Sequence, residues 1–135
     1  MMRVMLDTSA YSAFARGHEQ VKEAIQAADE IWMSPVVLGE LHAGFRRGTR
    51  RAENERDLSR FLSSPRVAVA DVTEETAVRY AEILAFLRDA GTPAPTNDIW
   101  IAAGAMQHGL RLITTDSHYQ KVPQVVVGYC EPLRS

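Results

Sequence analysis

Val4-Met5-Leu6-Asp7-Thr8-Ser9 opens on three apolar residues, then an acid, then two hydroxyls. Three apolar residues are too few for a helix and read as a short buried strand that ends at Asp7. Ser9 stands where a helix can be capped, and the spacing carries that helix over 9–15 until Gly17 interrupts it. Strand, acid, helix is one βα unit, and the rest of the chain repeats its order.

A second helix is expected over 18–28, with Val21, Ala24, Ile25 and Ala28 on one face. Ile31-Trp32-Met33 reads as the second strand. Ser34-Pro35 is a helix start: serine caps, and proline suits a first position whose N–H has no partner anyway. That helix runs to Arg47, with Gly48 as its stop. A charged helix follows over 49–64, then a strand over 67–70. Thr73 with Glu74 and Glu75 begins a long helix that Gly91 ends, and Pro93 and Pro95 force a loop. Thr96 or Asn97 is expected to cap a helix over 98–108, stopped by Gly109. A strand over 110–115 ends at Asp116, and 125–127 reads as the last strand. Strands alternating with helices predict an α/β fold of three layers, α/β/α, with a central parallel sheet. Residues 1–135 are expected to form one domain, since hydrophobic residues make up 46% of the chain, enough for one core.

No apolar run approaches the roughly 18 residues of a membrane span. No leader-like apolar region precedes Asp7. A cytoplasmic protein is expected. Cys130 is the single cysteine, which excludes an internal disulfide and a cysteine-rich metal site. The formal net charge is −2, so bulk charge supplies no attraction to nucleic acid. Such a role has to rest on a local basic patch or on bound cations.

In open parallel sheets, ligands bind beyond the carboxyl ends of the strands. Asp7 and Asp116 each sit where a strand ends, so both are expected on that rim. Asp98 lies in the first turn of a helix that follows a loop, and Glu40 lies one to two turns into the helix that leaves the second strand. Four carboxylates from four distant segments can thus meet. Such a cluster repels itself and calls for protons or cations. Oxygen ligands without cysteine or a histidine pair suit Mg2+ or Mn2+. A metal in such a site activates water and offsets charge on a phosphoryl group, so phosphodiester hydrolysis is the chemistry implied. Each acid also has a plain reading. Asp98 can simply face the helix dipole, Asp7 a turn, Asp116 the start of a turn or helix, and Glu40 the solvent.

Arg46, Arg47, Arg50 and Arg51 form a local basic patch that could hold RNA phosphates. Glu53, Glu55 and Asp57 are interleaved just beyond, which also reads as a solvated, ion-paired helix face. His118 reads as a loop histidine and His108 as a cation at a helix C-terminus. Trp32 and Trp100 read as packing residues rather than base-stacking ones.

Four segments resemble the motifs of PIN domains. Val4-Met5-Leu6-Asp7-Thr8-Ser9 is similar to their opening strand and first acid, and Ser34-Pro35-Val36-Val37-Leu38-Gly39-Glu40-Leu41 to the second motif. Asn97-Asp98-Ile99-Trp100-Ile101-Ala102-Ala103 resembles the third, including small residues that let the helix approach the sheet. Leu112-Ile113-Thr114-Thr115-Asp116-Ser117-His118-Tyr119 resembles the fourth, with Tyr119 where phenylalanine is commoner. Order and spacing match over nearly the whole chain, and the branch most similar is that of VapC-like ribonuclease toxins.

The resemblance implies a Mg2+- or Mn2+-dependent endoribonuclease, a homodimer and a VapB-like antitoxin partner. It makes Asp7, Glu40, Asp98 and Asp116 the catalytic and metal-binding acids, with Thr8, Ser9 and Thr114 in support. A carboxylate-rich pocket also attracts guanidinium, so an inhibitory antitoxin segment is expected to insert Arg or Lys. Two other readings stand beside it. One is a non-catalytic PIN-fold protein that binds RNA or a protein partner. The other is a phosphotransfer enzyme, which would want a second acid beside Asp7 and a lysine after a late strand.

Overall fold

The computed structural model describes residues 1–133. Its five strands are β1 (Arg3–Leu6), β2 (Glu30–Met33), β3 (Val67–Val69), β4 (Arg111–Thr114) and β5 (Val127–Tyr129). They form one parallel sheet in the order β3-β2-β1-β4-β5. Six helices connect them: α1 (Thr8–Ala15), α2 (Glu19–Ala27), α3 (Pro35–Arg47), α4 (Arg51–Leu62), α5 (Glu74–Ala90) and α6 (Thr96–His108). The α/β alternation read from the sequence is therefore the architecture, with helices flanking a central parallel sheet.

β1 is the middle strand, and Val4, Met5 and Leu6 are all buried. A strand covered on both faces needs an unbroken apolar run, which is what these residues supply. α6 lies close on the sheet because four of its six buried positions are the small residues Ala102, Ala103, Gly104 and Ala105; a Cβ on Gly104 would already touch the Met5 side chain. Gly91 and Gly109 end α5 and α6 at φ +69° and +63°, a left-handed conformation that glycine adopts without steric cost. Ser34 caps α3 as expected, its Oγ accepting from the Val36 N–H at 3.1 Å.

The sheet fixes where a ligand can sit. From β1 the chain runs outward through β2 to β3, then crosses to β4 on the other side of β1. The switch point thus lies between β1 and β4, and the crevice beyond their carboxyl ends is the natural binding place.

Several local expectations need correction. α1 is capped by Asp7, not Ser9: the backbone at Asp7 is still extended, and its carboxylate accepts from the Ala10 N–H at 2.8 Å. α6 begins after Pro95, so Thr96 and Asn97 already lie in its first turn and neither caps it; the Asn97 amide donates to Glu40. The last strand is Val127–Tyr129, two residues later than its valine run suggested. Val125 closes a turn onto Val122, so pairing with β4 starts only afterwards.

His18 is the N-cap of α2 rather than part of it. Its Nδ1 accepts from the Val21 N–H at 3.2 Å, so the proton must sit on Nε2, which donates to the Glu131 carbonyl at 2.6 Å. One buried imidazole thereby caps a helix and ties down the end of the chain after β5. His18→Ala is expected to cost about 1–3 kcal/mol. The urea midpoint should fall without a change in slope, and an unchanged midpoint would remove His18 from the fold's support.

Candidate active site

Asp7 stands at the carboxyl end of β1 and is 3% exposed. Thr114 Oγ1, at the end of β4, donates to its Oδ2 at 2.7 Å, and Ser9 Oγ donates between its two oxygens at 2.8 and 2.9 Å. Ser9 Oγ in turn accepts from the Thr115 N–H at 3.1 Å, and Thr114 Oγ1 from the Asp116 N–H at 2.9 Å. The ends of the two central strands are therefore laced together through one carboxylate. Burial pushes the Asp7 carboxyl above the usual range, against its hydrogen bonds, and the Asp116 charge adds to the rise.

Asp116 follows β4 and caps a 3₁₀ helix (Ser117–Lys121), its Oδ1 accepting from the His118 N–H at 2.9 Å. The His118 ring also reaches that carboxylate, Nδ1 to Oδ1 at 3.0 Å. Asp98 is half-buried in the first turn of α6. Burial raises its carboxyl, the neighbouring Tyr119 hydroxyl lowers it, and the charges of Asp116 and Glu40 raise it further. Glu40 projects from α3 and is held from both sides: Thr8 Oγ1 donates to Oε1 at 2.5 Å and Asn97 Nδ2 to Oε2 at 3.3 Å.

Asp7 and Asp116 are linked at the ends of β1 and β4 through Thr114, and Glu40 is bonded to Thr8 and Asn97, the chain neighbours of Asp7 and Asp98. Thr8, Ser9 and Thr114 each bond directly to one of these carboxylates. Among the described residues, no three His, Cys, Asp or Glu side chains are already drawn in around one point as an ion cage. The donor set nevertheless fits a hard divalent ion in kind. It is all oxygen, it is partly buried, and two of its carboxyls are pushed toward protonation by desolvation and mutual charge.

The arginine patch divides. Arg50 bonds Glu53 (2.6 and 3.0 Å) and Arg51 bonds Glu55 (3.0 Å), so both are ion-paired on the face of α4. Arg46 and Arg47 are exposed and make no salt bridge with the described residues. Neither tryptophan belongs to the site: Trp32 stacks on His108 and Trp100 on Tyr80. Sequence reasoning missed Asn97 as a Glu40 partner and His118 as an Asp116 partner. Adjacency to a motif acid was the only signal for either. A separate hollow lined by Met2, Arg3, Gly109, Arg111 and Val126 lies at the amino ends of β1 and β4, on the far rim from the acids.

A parallel α/β sheet with Asp7 and Asp116 at the carboxyl ends of its two central strands defines the class of protein. The PIN domain family model matches residues 4–125, and the chain belongs to that family. Ribonuclease VapC4 of Mycobacterium tuberculosis is 34% identical over 101 residues, 75% of this chain and 78% of that protein. VapBC2 from Rickettsia felis, solved bound to a DNA fragment from their promoter, matches with a TM-score of 0.85 at 23% identity, covering 97% of this chain and 100% of that one. DNA-bound VapBC from Salmonella typhimurium matches at 0.83 with 25% identity, covering 95% and 98%. Among the described residues no helix is long and apolar enough to cross a membrane.

Proposed function

We propose that this chain is a divalent-metal-dependent endoribonuclease, acting over residues 1–135 as one domain, and the toxin of a VapBC-type toxin–antitoxin pair. What supports the reading is that Asp7 and Asp116 stand at the carboxyl ends of β1 and β4, tied through Thr114, while Glu40 is bonded to Thr8 and Asn97, the chain neighbours of Asp7 and Asp98. The likeness to a named VapC ribonuclease supports it. Asp7, Asp98 and Asp116 would hold Mg2+ or Mn2+, with Glu40 completing the surroundings. When bound, such an ion lowers the pKa of a water and offsets charge on the phosphate.

The chain's own residues do the positioning. Ser9 and Thr114 fix the Asp7 carboxylate, and Thr8 and Asn97 fix Glu40. An acid set of this kind favours water over the ribose 2′-hydroxyl as nucleophile. Cleavage should therefore leave 5′-phosphate and 3′-hydroxyl ends. Sequencing the ends of RNA cut by the purified protein with Mn2+ tests this; 2′,3′-cyclic phosphate ends, or intact RNA, would reject it.

Of the four arginines, Arg46 and Arg47 are the pair left to meet phosphate. Replacing both should shallow the log–log salt dependence of RNA binding by roughly 1–2, while replacing Arg50 and Arg51 leaves it near wild type. The reverse pattern would relocate the RNA path. The partners expected with this reading are a second copy of the chain and a VapB-like antitoxin that places a guanidinium or ammonium in the acid pocket.

A further inference from the structure

Tyr119 forms one wall of the acid site and is 3% exposed. Filling that wall needs only the ring, which phenylalanine would supply equally. The hydroxyl is a different matter. Its oxygen is buried and makes no hydrogen bond of normal geometry with the described residues. A buried hydroxyl left unpaired is costly and calls for an explanation.

Its surroundings supply one. Asp98 lines the same crevice as the phenol, and a phenol carries its proton at neutral pH without any shift. It is therefore a donor beside a carboxylate. The hydroxyl stands next to Asp98 without completing a normal hydrogen bond to it. The crevice between Asp98, His118 and Tyr119, closed by Ala94, Ile99 and Val122, has about 10 Å³ of room. That is no more than a single water, so no piece of RNA enters there. The ring's position is set by the turn that Asp116 caps, in which the Tyr119 N–H donates to the Asp116 carbonyl at 3.4 Å. One turn thus carries an acid and the donor aimed at its neighbour.

We propose that the Tyr119 hydroxyl is a positioning residue of the metal site: it donates to one oxygen of Asp98 and turns the other toward the divalent ion. The inference rests on the metal-site reading given above. The hydrogen bond closes as the carboxylates draw in around the ion, and the hydroxyl then has the partner that the metal-free arrangement does not give it. Hydrogen bonds of this kind, one step removed from the metal, typically change affinity by about 10- to 100-fold.

Calorimetric titration of metal-free wild type, Tyr119→Phe and Asp98→Asn with MnCl2 tests this, together with metal-free melting temperatures and the Mn2+ dependence of RNA cleavage. Tyr119→Phe should raise the Mn2+ Kd about 10-fold. Its metal-free melting temperature should equal or exceed that of wild type, and excess Mn2+ should restore its cleavage rate. Wild-type Mn2+ affinity in Tyr119→Phe overturns the inference and leaves the metal site standing. A lower metal-free melting temperature also overturns it, by making the hydroxyl a fold residue. A wild type that binds no Mn2+, or an Asp98→Asn variant that binds as well as wild type, overturns the metal site and this inference with it.

Discussion

Asp7→Asn is expected to lower the single-turnover rate of RNA cleavage about 10²- to 10³-fold, the scale on which loss of one charge-stabilising group is felt in a preorganised site. The substitution is close to isosteric, so the effect is not one of shape. The remaining oxygen can still accept from the Ala10 N–H and keep the cap of α1. What disappears is the negative charge at the switch point, the one carboxylate that both central strands hold in place. An NH2 also replaces one acceptor of the Ser9 and Thr114 hydroxyls, so those groups must turn. Circular dichroism should report an unchanged helix content beside the lost rate. Asp7→Ala removes the cap as well and should cost about a further 1 kcal/mol of stability. Activity within tenfold of wild type in Asp7→Asn would take Asp7 out of the chemistry.

The second large effect is the response of stability to metal and pH. Burial first, then neighbouring charge, raises the carboxyls of Asp7 and Asp98 above their ordinary range. A carboxyl raised in the folded state stabilises the fold in full below its unfolded value, and that contribution is lost as pH climbs through the raised value. These two groups therefore make the metal-free protein less stable at neutrality than in mild acid. A bound divalent ion opposes this by favouring the ionised carboxylates. At about 100 times its Kd, Mn2+ should add about 2.7 kcal/mol, raising the melting temperature by roughly 8–11 °C for a chain of this length. The gain should be larger at about pH 7.5 than at about pH 5, where protons compete for the same oxygens. Scanning calorimetry with Mn2+ and with a chelator at both values measures it. Equal gains at the two pH values, or none at either, would show that these carboxyls do not bind the ion.

The element order was legible because its signals are local. Ser34-Pro35 starts α3, Gly91 and Gly109 stop α5 and α6, and Val4-Met5-Leu6 is too short and too apolar to be anything but a buried strand. The same locality explains the misses. Asp7 and Ser9 both read as caps, and only the strand leading into Asp7 leaves its backbone extended and its carboxylate over the Ala10 N–H. Three valines at 125–127 read as a strand, but their pairing depends on where the turn after Tyr119 delivers the chain to β4.

By itself, the order of residues determined that the protein alternates strands and helices and that Asp7 and Asp116 lie at strand ends. Periodicity and capping are properties of neighbours in the chain, so a sequence carries them openly. Only the tertiary structure decided what each polar group does. Thr114 reaches Asp7 from 107 residues away, Asn97 reaches Glu40 across 57, and His18 holds Glu131 across 113. The ion pairs that occupy Arg50 and Arg51 are the exception, being one helical turn long and so readable from the interleaved charges. Burial is likewise a sum over the whole fold. The raised carboxyls of Asp7 and Asp98, and the unpaired hydroxyl of Tyr119 beside them, therefore appear only once the sheet and α6 have closed around the switch point.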